Sequence, residues 1–106
     1  MAAIDREITE GIQTQGTAEA VYYKLTTTPW GSTPTNVTVK AYSKDDSDFT
    51  DVTSSVLAGT ASVSGDVITL PKLSSLSEDT LYRVEVKFTE ANSNVYEAYF
   101  YVQAER

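Results

Sequence analysis

Leu76-Ser-Glu-Asp-Thr80-Leu-Tyr82-Arg-Val84-Glu-Val86-Lys-Phe88 is the stretch whose reading decides the fold. Tyr82, Val84, Val86 and Phe88 lie two apart, so in an extended chain they share one face. Leu81, Arg83, Glu85 and Lys87 share the other. Apolar on one side and mostly charged on the other is the pattern of a half-buried β-strand.

The strand has a partner downstream. Thr89-Glu-Ala-Asn-Ser-Asn94 reads as a turn, and Val95 to Val102 alternates again, with Tyr96, Ala98, Phe100 and Val102 on one face. Keeping both apolar sets together pairs Phe88 with Tyr96 and Tyr82 with Val102. The outward pairs are then Lys87 with Glu97, Glu85 with Tyr99, and Arg83 with Tyr101. The last pair predicts a cation–π contact of Arg83 with Tyr101.

Upstream, Gly65-Asp66 sits between Ala61-Ser-Val-Ser64 and Val67-Ile-Thr-Leu70. Glycine at the first central position marks a type II′ hairpin, which sets Val63 against Ile68 and Ala61 against Leu70 on one face. Pro71 ends the pairing, because it has no N–H. Ala20–Thr27 and Asn36–Ser43 alternate in the same way; Val21, Tyr23 and Leu25, then Val37, Val39 and Ala41, are expected inward. Asp51–Leu57 reads as a short strand or edge segment. The expectation is an all-β, antiparallel sandwich of about seven or eight strands over residues 20–106, preceded by residues 1–19.

Residues 1–19 hold Ile4, Ile8 and Ile12 in a polar setting with Gly11 and Gly16. They read either as an irregular first strand or as an arm that orders against a neighbouring subunit. Trp30 lies between Pro29 and Gly31 in a turn-rich loop. It folds back over the core, stacks on a ligand or anchors a subunit contact. Lys44–Asp51 reads as an acidic loop in which Asp46, Asp48 and Asp51 are the only oxygen cluster to consider for a cation. The Asp-x-Asp-x-Asp-Gly order and terminal Glu of an EF-hand are missing, and a solvated loop whose aspartates make local turn hydrogen bonds is the favoured reading over a cation site. Tyr99 and Tyr101 are aromatic on a face that needs only polarity if it meets only water, and Tyr22 and Tyr42 are outward candidates too.

Composition narrows the function. The chain has 106 residues, no cysteine, no histidine and a formal charge of −7. Without cysteine or histidine the thiol nucleophile, the commonest general base and the usual transition-metal ligands are all missing. No G-x-x-x-x-G-K-[ST], G-x-G-x-x-G or G-x-S-x-G motif occurs. An enzyme is not expected, nor a cofactor. The acidic balance argues against a nucleic-acid partner. No apolar run reaches the ~20 residues of a membrane helix. Met1-Ala-Ala-Ile-Asp-Arg-Glu7 lacks the basic start and apolar run of a signal peptide, so export by a secretory signal is not expected, and the compartment stays open.

Two resemblances follow from these residues. Leu76, Thr80 and Tyr82, spaced L-x-x-x-T-x-Y, resemble the tyrosine corner of immunoglobulin-like and fibronectin type III-like sandwiches. This implies an immunoglobulin-like fold, with the Tyr82 hydroxyl bonded to backbone a few residues upstream. The longer run Asp51-Val-Thr-Ser-Ser-Val-Leu-Ala-Gly-Thr-Ala-Ser-Val-Ser-Gly-Asp-Val-Ile-Thr-Leu-Pro71, with Leu76 and Leu81-Tyr-Arg-Val-Glu-Val86, is similar to small immunoglobulin-like structural proteins of tailed bacteriophages and prophages. It implies a non-enzymatic head, neck, tail or decoration component located in the virion. Its partners would be further copies of itself and other virion proteins. Ile4, Ile8, Ile12, Arg83, Tyr99 and Tyr101 are then the interface candidates. The alternative is an immunoglobulin-like or fibronectin III-like module that binds carbohydrate or a cell-surface partner through Trp30.

Overall fold

The computed structural model describes residues 7–27, 32–45 and 48–105. Among them the chain forms β1 (Glu7–Gly16), β2 (Lys24–Thr26), β3 (Thr35–Asp45), β4 (Asp48–Asp51), α1 (Thr53–Val56), β5 (Leu57–Ala58), β6 (Ser62–Ser64), β7 (Val67–Thr69), β8 (Lys72–Leu73), β9 (Leu81–Thr89) and β10 (Val95–Glu105). The Tyr82–Phe88 alternation becomes β9, whose even-numbered residues are buried at every position. β10 pairs with it antiparallel in the expected register: Phe88 opposite Tyr96, Glu85 opposite Tyr99, Arg83 opposite Tyr101 and Tyr82 opposite Val102.

A five-stranded sheet in the order β1-β10-β9-β3-β4 faces a three-stranded sheet in the order β2-β7-β6, and β5 and β8 form a separate two-stranded ribbon. The core lies between the sheets. Tyr82, Val84, Val86, Phe88, Phe100, Val102 and Ala41 from the larger sheet pack with Leu25, Ile68, Leu70, Leu73, Leu76 and Val56. Burying Phe88 completely is worth about 1.5–3 kcal/mol relative to leaving it in water. The architecture is an all-β sandwich.

The structure differs from the sequence expectation in several ways. Among the described residues there are ten strands rather than seven or eight, because Leu57–Ala58 and Lys72–Leu73 add a two-stranded ribbon and the acidic stretch adds β4. The larger sheet is not wholly antiparallel. β1 runs parallel to β10, from Glu7 beside Tyr99 to Gly16 beside Glu105, with a register shift between Glu7 and Ile12. Lys44–Asp51 is not a loop throughout: Lys44 pairs with Phe49 and Asp45 with Asp48 in the β3–β4 ladder. Asp51–Leu57 is not one strand either. Asp51 Oδ1 accepts hydrogen bonds from Thr53 N–H at 2.9 Å and Thr53 Oγ1 at 2.7 Å, and this turn starts α1.

The Gly65-Asp66 turn sets Val63 against Ile68 as expected, with Gly65 at φ +59°. Ile68 is fully buried, but Val63 is 42% exposed. β6 is the edge of the smaller sheet, so Val63 is only partly covered. β2 is shorter than the alternation of Ala20–Thr27 predicts; before it, Val21 makes an isolated bridge with Leu73.

Candidate functional site: the outer face of the five-stranded sheet

The pleat that buries Val84, Val86 and Phe100 turns Arg83, Glu85, Lys87, Glu97, Tyr99 and Tyr101 outward. The neighbouring strands continue the face with Thr38, Lys40, Tyr42 and Lys44 on β3 and with Phe49 and Asp51 on β4. The register arranges them in rows. Glu97, Lys87 and Thr38 form one; Tyr99, Glu85 and Lys40 the next; then Tyr101, Arg83, Tyr42 and Asp51; and finally Gln103, Leu81, Lys44 and Phe49. Opposite charges therefore lie beside each other across strands, where such pairs stabilise a sheet by about 0.2–1 kcal/mol each.

Arg83 is the centre of this face. Its guanidinium carbon lies 4.0 Å from the centroid of the Tyr99 ring and 5.5 Å from that of Phe49. Its Nε is 2.9 Å from Glu85 Oε2, close enough for an ion pair but not aligned as a hydrogen bond. The expected stacking on Tyr101 is thus replaced by stacking on Tyr99. In register Tyr101 is the direct neighbour, but the long Arg83 side chain reaches the diagonal ring, and Tyr101 packs edge-on against Tyr99 at 5.6 Å. Phe49 is the member of the cluster that sequence reasoning missed, because only the β3–β4 pairing carries it to Arg83. It is 41% exposed.

Beyond the aromatic end the face dips into a shallow hollow of about 230 Å³ lined by Thr38, Lys40, Tyr42, Glu85, Lys87 and Glu97. A second groove, about 430 Å³, opens on the flank beside β4, between Val39, Asp51, Thr53, Leu57, Gly59 and Pro71. Neither holds a convergent set of groups for acid–base work. Among the described residues no group of three or more Asp, Glu, His or Cys is placed to hold a metal ion. Asp48 and Asp51 alternate on β4, so their side chains diverge. The Asp51 carboxyl is instead held below its ordinary pKa by the hydrogen bonds from Thr53.

No protein-family model matches the chain, and no curated protein matches it. The site residues therefore stand on geometry alone. Tyr99, Tyr101 and Arg83 are brought together; Ile12 lies in β1 in register beside Tyr101. Ile8 is also in β1, and the side chains of Ile8 and Ile12 lie outside the described part of the structure. Ile4, Trp30 and Asp46 lie outside the described residues altogether. Tyr22 is 58% exposed but belongs to the other side of the molecule, where Lys72 Nζ sits 5.1 Å from its ring.

Sequence reasoning also missed the buried polar groups that hold the frame of this face. Gln15 is 1% exposed. Its Nε2 donates to Leu73 O at 2.8 Å and Glu19 O at 3.1 Å, and its Oε1 accepts from Tyr23 Oη at 2.9 Å. The amide thus ties β1 to the segments leading into β2 and out of β8. Glu90 is 5% exposed, and its Oε1 accepts from Asn92 N–H at 2.6 Å and Asn94 N–H at 3.1 Å, closing the β9–β10 turn.

Proposed function

We propose that this chain is a non-enzymatic structural protein of a tailed-phage or prophage particle, acting through protein–protein contacts made by the outer face of its five-stranded sheet. The observation that carries this reading is the cluster of Phe49, Arg83, Tyr99 and Tyr101 on that face. Tyrosine, phenylalanine and arginine are the residue types enriched at contact surfaces. Here they are preassembled, because stacking and the Glu85 contact already hold the Arg83 side chain, so little rotamer freedom remains to be lost on docking. The resemblance of Asp51–Pro71, Leu76 and Leu81–Val86 to small immunoglobulin-like phage structural proteins supports the particle assignment, and the all-β sandwich supplies the rigid frame.

The test is to purify tailed particles from the source of the chain and measure its copy number by mass spectrometry and immunogold labelling. A fixed number of copies per particle is expected. Its absence from intact particles would overturn the assignment.

A further inference from the structure

We propose that the open edge of β3 at Val39 receives an extended segment of a different protein, which adds to the five-stranded sheet as a short further strand. This site is separate from the outer face and does not rest on the reading of that face. The edge is paired in steps of two. Ser43 and Asp45 lie opposite Thr50 and Asp48 of β4. Ala41 comes next. Its carbonyl accepts from Val52 N–H at 2.9 Å, and its own N–H donates to Thr53 Oγ1 at 3.0 Å. The backbone groups of this alternate set therefore point away from β9. Val39 is the next member, and it has no hydrogen-bond partner on that side among the described residues. The cause is local: the hydrogen bonds of Thr53 to Asp51 turn the chain into α1, so β4 stops short of Val39.

The geometry selects the occupant. An N–H and a C=O side by side on one strand residue are matched together by one residue of an extended chain, which supplies both complementary groups. Room for that chain is present, because the groove of about 430 Å³ opens beside Val39, between Asp51, Thr53, Leu57 and Pro71. The Val39 side chain packs against the core, and a residue paired with it points the same way, into the groove. That residue is therefore apolar. Charge sets the rest of the segment. β4 holds Asp48 and Asp51 and no basic residue, and the chain carries −7, so the segment is basic at the end that meets Asp51. On the far side of Val39 the register shift between Thr35 and Thr38 interrupts the edge, so the contact is short. A free peptide should bind it with a Kd on the order of 1 mM.

Amide hydrogen exchange followed by NMR on the full chain tests this, with the peptide acetyl-Lys-Thr-Val-Thr-Val-Thr-Lys-amide as the probe. At a peptide concentration about ten times its Kd, exchange of the Val39 N–H should slow about tenfold. The N–H groups of Thr38 and Lys40 face β9 and should keep their rates. The same peptide N-methylated at both valines, or with glutamate in place of both lysines, should lose the effect. Ser54→Trp fills the groove and should abolish the slowing. Ser55→Trp, also exposed on α1 but not lining the groove, should retain it. If Ser54→Trp does not fold, the N-methylated peptide still decides. An unchanged rate at Val39, equal slowing at Thr38, Val39 and Lys40, or an undiminished effect of the N-methylated peptide would each overturn the added strand. Slowing at Val39 that grows with chain concentration in the absence of peptide would show a second copy at the edge and overturn the choice of partner. None of these results bears on the copy number in particles, so the two readings fail separately.

Discussion

The backbone N–H of Ser77 donates a 2.8 Å hydrogen bond to the hydroxyl of Tyr82, five residues ahead. It fixes the path by which the chain leaves β8 and enters β9, and so sets where Arg83 emerges on the outer face. The ring of Tyr82 is 3% exposed and packs in the core. Tyr82→Phe keeps the ring and removes the bond. The variant should lose about 0.5–1.5 kcal/mol of stability in urea unfolding, with the m-value unchanged.

Gln15 is the side chain on which β1 depends. Gln15→Ala removes three hydrogen bonds at once and leaves Leu73 O without this donor in the core. A loss of about 1–3 kcal/mol is expected. Hydrogen exchange should rise first in β1, because β1 is joined to the sheet along one edge only.

The same network predicts an alkaline limit. Burial, and then the nearby Glu19 carboxylate, raise the Tyr23 hydroxyl above its ordinary value of 10.0. Once pH exceeds that value the unfolded chain releases this proton while the folded chain retains it, so stability falls as pH rises. Below it the contribution is fully present. The melting temperature of the native chain should therefore drop more steeply above pH 10 than that of Tyr23→Phe, which has no proton to release.

These elements were not equally legible. The β9–β10 register and the Gly65 hairpin were readable because period-two alternation and turn chemistry are local and agree. β1 was readable only as one of two alternatives, an irregular first strand, because its anchor is a glutamine. Gln13-Thr14-Gln15-Gly16 shows no apolar alternation, and the acceptor of Gln15 is 58 residues away. Arg83 was placed on the correct face but against the wrong ring, since register fixes neighbours and not the reach of a long side chain. Phe49 was hidden inside a run of aspartates. The turn into α1 had a usable signal in Asp51-x-Thr53, a spacing that favours an Asx turn over a continuing strand.

Gly65 isolates the contribution of the backbone. At φ +59° a side chain is strained, yet a Cβ there would meet nothing within 4 Å. Gly65→Ala should therefore cost about 1–2 kcal/mol from conformation alone. Gly65→Asn should cost less, because Asn tolerates this region better. Thermal unfolding of the two variants measures the difference directly.

Arg83 and Tyr99 supply the sharpest test of the outer face. The guanidinium sits 4.0 Å from the Tyr99 ring, whereas Tyr101 is the strand neighbour in register. A double-mutant cycle separates stacking from register. Arg83→Met keeps the length of the side chain and removes its charge, and Tyr99→Leu removes the ring. Their coupling energy should be about 0.5–1 kcal/mol, the value of a partly exposed cation–π contact. The cycle of Arg83→Met with Tyr101→Leu should give a smaller coupling. Raising salt should reduce the first coupling only slightly, because the Arg83 side chain is 19% exposed and poorly screened. A larger coupling with Tyr101 would mean that the direct neighbour, not the diagonal ring, holds Arg83 in place. Coupling with neither ring would remove the preorganised arginine on which the use of this face as a contact surface depends.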